Sequence, residues 1–118
     1  MNRNNRVLIT GGSGFMGMHL ITLLLEHGYN VLSVDKKENT LIGDYQSEVC
    51  NILDANNLCN IFNDFLPEIV VHLAARIDLN ETEDINGYAD NIDGVQNLVN
   101  AINSAGSVNR LLVTSSQL

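Results

Sequence analysis

Four glycines in Thr10-Gly11-Gly12-Ser13-Gly14-Phe15-Met16-Gly17 carry the densest chemical information in this 118-residue sequence. Gly12, Gly14 and Gly17 spell G-x-G-x-x-G, and Gly11, Gly14 and Gly17 spell G-x-x-G-x-x-G. The loop follows the apolar run Val7-Leu8-Ile9 and opens a stretch of helical periodicity, the context that gives such a pattern meaning. A tight strand-to-helix turn needs positive φ, which glycine adopts without steric cost. A side chain at Gly14 would hold a phosphate off the backbone, and one at Gly17 would push the helix away. The first-turn N–H groups and about half a positive charge of helix dipole then face an anion. No Lys-Ser or Lys-Thr follows the last glycine, which excludes a mononucleotide P-loop.

Asp35 closes a second apolar run, Val31–Val34, roughly 20 residues past the loop. A carboxylate there can accept hydrogen bonds from both hydroxyls of an adenosine ribose, and its charge repels a 2′-phosphate. The expected ligand is therefore a dinucleotide, NAD in preference to NADP, with its pyrophosphate on Gly11–Gly17. Lys36 and Lys37, which could offset the repulsion, read as a solvated pair.

The elements that must position these residues alternate strand and helix. Val7–Ile9 lacks polar alternation, as a strand covered on both faces requires. A helix is predicted over Gly17–His27, with Leu20, Ile21, Leu24 and Leu25 inward and Gly28 as its stop. Lys36–Gly43 reads as loop, and a weak strand lies around Glu48–Cys50. Asp54 is positioned to cap a helix bearing Leu58, Ile61, Phe62 and Phe65, which Pro67 ends. Ile69–Leu73 is a fourth strand, and the acidic stretch Ile77–Gly87 reads as loop. The spacing predicts a long helix from Tyr88 to Ser104 with Ile92, Val95, Val99 and Ile102 along one stripe. Gly106 ends it, and Arg110–Thr114 is a fifth strand. Such βαβ units predict an α/β, doubly wound parallel sheet of the Rossmann type, in the order 3-2-1-4-5.

Composition narrows the function. The formal charge is −8, which opposes nucleic acid or an anionic membrane as partner. No apolar run approaches the ~20 residues of a membrane span, and Met1–Arg6 is too short and polar for a signal peptide. Cys50 and Cys59 have no metal or redox spacing and read as packed thiols of a reduced, cytoplasmic chain. His72, Asp78 and Ser116 do not form a hydrolase set, since no nucleophile elbow accompanies them.

The sequence resembles the extended short-chain dehydrogenase/reductase family, above all its NAD-dependent nucleotide-sugar epimerases and dehydratases. Thr10–Gly17 is similar to the family's T-G-G-x-G-F-x-G, and Ile69–Ala75 to its fourth-strand motif. Tyr88–Leu98 resembles its N-x-x-G-T-x-N-L helix, and Leu111–Ser116 its fifth strand ending in Ser-Ser. The resemblance implies roles. Phe15 and Met16 would lie along the pyrophosphate through their backbone. Leu73, Ala74 and Ala75 would pass beneath the cofactor. Asn51 and Ile52 stand where the family usually has Asp-Ile or Asp-Leu beside adenine, so an amide replaces a carboxylate. Asn91, on an otherwise apolar stripe with Val95, Leu98 and Ile102, serves the cofactor, a neighbouring carbonyl, or both. Ser116, with Ser115 as its neighbouring possibility, aligns with the family's catalytic Ser or Thr.

Family chemistry also uses a Tyr-x-x-x-Lys pair. Tyr29, Tyr45 and Tyr88 are followed four residues later by Ser33, Val49 and Ile92, so no such pair is present. The expectation is a single domain over residues 1–118, the NAD-binding part of an epimerase or dehydratase, lacking the C-terminal substrate-binding part and inactive alone. A reductase of the same family, or a non-catalytic NAD-binding or interaction module, are the alternatives. A bare fifth strand would favour self-association.

Overall fold

The computed structural model describes residues 5–73 and 85–114, with the backbone alone for 85–92. Strands β1 (Arg6–Thr10), β2 (Asn30–Asp35), β3 (Gln46–Val49), β4 (Ile69–Leu73) and β5 (Arg110–Thr114) form one parallel sheet. Its order is β3-β2-β1-β4-β5, as the alternation of elements predicts. Helices α1 (Phe15–Glu26), α2 (Ala55–Phe65) and α3 (Ile85–Ala105) make the crossovers. Thr10 stands in register with Val34 on one side and His72 on the other, so the ends of three strands meet beside the glycine loop.

Two cores follow from the pleat. Val7, Ile9, Val31 and Val71 face α1, where Ile21 is fully buried. Leu8, Leu32, Val34 and Val70 face α2 and α3, against Leu58, Phe62, Leu98 and Ala101. An inner strand covered on both faces has no place for alternation, which is why β1 reads as wholly apolar. The Asp54 side chain accepts the Asn57 N–H at 3.3 Å, the predicted cap. Gly28 and Gly106 leave α1 and α3 at φ 84° and 72°.

Several boundaries shift. The helix after the loop starts at Phe15 rather than Gly17, and β3 covers Gln46–Val49 rather than Glu48–Cys50. Ile85–Gly87, expected as loop, are the first turn of α3. The buried stripe of α3 is Gly94, Leu98 and Ala101, while Val95 and Val99 lie on its flank, each 36% exposed. The cause is close packing. A Cβ on Gly94 would lie 2.7 Å from Ile52 Cγ1, so the helix needs glycine where it crosses Ile52. Before Pro67, α2 ends on Leu66 in the left-handed region at φ 52°, braced by the Arg6 Nε–H donating to its carbonyl at 2.9 Å.

The β5 strand has side chains on both faces in solvent, with Leu112 51% and Val113 58% exposed. Among the described residues no helix is long and apolar enough to cross a membrane.

Candidate nucleotide-binding site

The glycines of the loop have separate reasons to be glycine. Gly11 sits at φ 79°, donates its N–H to Val34 O at 2.9 Å, and a Cβ there would lie 2.8 Å from Leu73 O. Both the turn and the approach to β4 exclude a side chain. Gly12 packs on the Ser33 side chain of β2. A Cβ on Gly17 would come within 2.5 Å of Gly12 Cα and 2.6 Å of its carbonyl oxygen. Gly17 therefore seats the helix on the glycine turn itself, rather than on the strand as the sequence suggests.

Gly14 is different. It is the N-cap of α1 at φ −81°, ψ 176°, a conformation any residue adopts, and a Cβ there would meet only Gly11 O, at 3.8 Å. Nothing among the described residues requires glycine at this exposed position. Among the described residues no side chain caps the helix, and its first turn holds no acidic residue. Among the described residues the first helical N–H groups are thus available to an anion. Beside them Phe15 is 79% and Met16 65% exposed, and the Phe15 ring meets His19 edge-on at 4.6 Å.

Asp35 stands at the end of β2 facing this loop. Its Oδ2 accepts from the Ser13 N–H at 3.1 Å and from the Ser13 hydroxyl at 2.5 Å, and its Oδ1 from the Lys37 N–H at 3.4 Å. Lys36 and Lys37 are exposed, consistent with a solvated pair. Asn39 then ties the loop after β2 to the glycine turn, donating to Gly12 O at 3.0 Å and Ser33 Oγ at 3.2 Å. Tyr45 steadies the same loop through Leu41 O at 2.6 Å, and burial pushes its phenol above the ordinary range.

On the far side, Asn51 is exposed and its Oδ1 accepts the Leu53 N–H at 3.0 Å, closing a local turn. Its Nδ2 is free of any partner among the described residues, so the amide offers a donor where a carboxylate would only accept. Ile52 is held from α3: Asn97 donates to its carbonyl at 2.9 Å, and Gly94 lets its side chain pack beneath the helix. Leu73 ends β4 against Gly11. Ala74, Ala75, Asp78 and Ser116 lie outside the described residues, as does the side chain of Asn91.

Beneath the loop, His72 is 4% exposed and its Nδ1 lies 2.5 Å from the Thr10 hydroxyl. Its Nε2 is buried without a partner among the described residues, and desolvation lowers the imidazole's pKa below its usual value. Burial chiefly, with the Asp54 and Glu48 carboxylates, raises the Cys50 thiol, which is therefore a packing group rather than a nucleophile. Among the described residues no cluster of His, Cys, Asp and Glu could hold a metal ion.

Sequence reasoning missed Ser13, Asn39 and Asn97 as supports. Asn97 was legible in principle, as the second asparagine of the helix motif. Ser13 and Asn39 were not, because their partners are 22 and 27 residues distant.

The profile of the NAD dependent epimerase/dehydratase family matches residues 7–118. The chain is 38% identical over 119 residues to a 3β-hydroxysteroid dehydrogenase/Δ5→4-isomerase of Mycobacterium tuberculosis, across 94% of this chain and 31% of that protein. A UDP-glucose 4-epimerase from Brucella ovis in complex with NAD shares the fold at TM-score 0.86 and 28% identity, over 94% of this chain and 35% of that one. The Thermotoga maritima UDP-glucose 4-epimerase with UDP-glucose gives TM-score 0.84 and 31% identity, over 94% and 38%. The chain spans about a third of the length of the 3β-hydroxysteroid dehydrogenases it matches.

Proposed function

Because this chain belongs to the NAD dependent epimerase/dehydratase family, we propose that it is the NAD-binding part of an oxidoreductase acting on a nucleotide-linked sugar. The observation that carries the cofactor assignment is Gly14, whose missing side chain leaves room over an uncapped helix N-terminus and serves no packing need among the described residues. The Phe15, Met16 and Gly17 N–H groups would take the pyrophosphate, and Asp35 the adenosine ribose. Asn51 and Ile52 would flank adenine. Leu73, Ala74 and Ala75 would run beneath the cofactor, with Asn91 on its α3 side. Bound NAD supplies a hydride acceptor. Ser116 is the one catalytic group we assign, as a hydrogen-bonding partner of the reacting hydroxyl. With no Tyr-x-x-x-Lys in these 118 residues, the chain alone should not turn substrate over.

A second reading has specific support. The 38% identity to a hydroxysteroid dehydrogenase favours a dehydrogenase or reductase of the same family acting on a non-sugar alcohol. A non-catalytic NAD-binding module shares the same loop. The exposed β5 edge supports self-association with a second copy, and the free thiols of Cys50 and Cys59 suit a cytoplasmic setting.

Calorimetric titration with NAD and NADP tests the cofactor reading. We expect NAD to bind more tightly, with Asp35→Ala abolishing the difference; tighter NADP binding would sink it. Product analysis of the longest reading frame containing this chain, fed UDP-sugars or 3β-hydroxysteroids, separates the two substrate classes.

A further inference from the structure

Ser13 is the unspecified x of both glycine patterns, yet it makes the shortest polar contact in the loop. Its N–H and its hydroxyl converge on one oxygen, Asp35 Oδ2, at 3.1 and 2.5 Å. The main-chain bond comes with the turn and would survive any substitution but proline. The hydroxyl bond is particular to serine.

Two donors on Oδ2 fill the in-plane lone pairs of that oxygen. Among the described residues Oδ1 is left with one long contact, the Lys37 N–H at 3.4 Å, near the limit of hydrogen-bond geometry. An aspartate at a strand end has a broad, roughly two-fold terminal torsion, so an unclamped carboxylate samples several orientations. The serine hydroxyl selects one of them.

We propose that Ser13 is a positioning residue that fixes the Asp35 carboxylate toward a vicinal diol and thereby sets the preference for a dinucleotide without a 2′-phosphate. The inference rests on the reading that the loop holds NAD. Its logic is steric and electrostatic. A carboxylate free to swing can turn from an incoming phosphate and let the exposed Lys36 and Lys37 approach it. A carboxylate held at Oδ2 keeps its charge where the phosphate would sit.

The test compares NAD and NADP binding by calorimetry in the wild-type chain, Ser13→Ala, Ser13→Thr, Asp35→Ala and Ser13→Ala/Asp35→Ala. Ser13→Ala should weaken NAD about tenfold, as loss of a charge-assisted hydrogen bond does, and NADP much less. Ser13→Thr should restore the ratio. In the Asp35→Ala background the serine change should alter neither affinity, because the group it positions is gone. Melting temperatures of the ligand-free variants run alongside, since a merely structural serine would lower stability and leave the NAD/NADP ratio unmoved. An unchanged ratio in Ser13→Ala, with NAD still binding the wild type, would overturn this inference alone. Failure of NAD to bind the wild type would overturn the cofactor reading and this inference with it.

Discussion

Gly14→Ala separates folding from binding within the glycine loop. Among the described residues the alanine Cβ meets nothing nearer than Gly11 O at 3.8 Å, and the backbone at φ −81°, ψ 176° suits alanine well. Two small terms oppose each other. Alanine is a poorer N-cap than glycine by ~0.5–1 kcal/mol, and it restricts the unfolded chain by ~0.4–1 kcal/mol in favour of folding. Stability should therefore change by less than about 0.5 kcal/mol. The methyl group, however, stands where a phosphate would approach the first-turn N–H groups. Loss of one charge-assisted hydrogen bond costs ~1.5–3 kcal/mol, which is roughly 10- to 150-fold in Kd. Gly17→Ala is the matched control. Its Cβ would sit 2.5 Å from Gly12 Cα, so the helix must back off by almost an ångström. Overpacking of that kind costs ~1–3 kcal/mol, against ~1 kcal/mol gained in helix propensity. Urea melts and NAD titrations of both variants check the pair. A Gly14→Ala chain that binds NAD like wild type would refute the argument that open space there is ligand space.

Three further outcomes follow from the packing. His72 is buried with its pKa lowered, so the unfolded state binds its proton more readily. Stability should be complete above pH ~6.5 and fall below it, by at most ~1.4 kcal/mol per pH unit. Urea melts of wild type and His72→Asn between neutral and mildly acid pH should show the slope shrinking in the variant, and an unchanged slope would assign it to other groups. Gly94→Ala should destabilise by roughly 1–2 kcal/mol through its clash with Ile52, and most of that cost should vanish in an Ile52→Ala background. Additive costs would mean that the helix moves instead. The wild-type chain should self-associate at micromolar concentrations in sedimentation velocity, and Val113→Lys on the exposed edge should weaken this. A monomer throughout would remove the β5 edge as the contact.

How much of this was visible in the sequence depends on how local the determinant is. The strands β1, β2 and β4 announced themselves because apolar, β-branched runs bounded by Gly, Asp or Pro have few other uses. Asp54 capped its helix as expected, since a cap bonds three residues away. The stripe of α3 failed for a physical reason. The spacing singles out Val95 and Val99, whereas the helix crosses Ile52 at Gly94 and so turns Gly94, Leu98 and Ala101 inward. Leu66 carried no signal, because its left-handed conformation is held by Arg6, 60 residues earlier. At the site, the glycines and Asp35 were legible as residue types with one chemical purpose. The hydroxyl of Ser13 and the amide of Asn39 gained theirs only when distant segments met.

The position of β1 in the sheet also has a consequence in time. It is the first strand of the chain and the central one, flanked by β2 and β4. The Thr10–His72 contact that closes its second side joins residues 62 apart. On a ribosome adding ~5–20 residues per second, β1 waits roughly 3 to 12 s for that neighbour. Once β2 has paired, Val7, Leu8 and Ile9 keep one unpaired edge until β4 arrives, with α1 and then α2 able to cover the two faces. The β1–α1–β2 unit that shapes the glycine loop is thus complete, as a sequence, before the sheet around it can be.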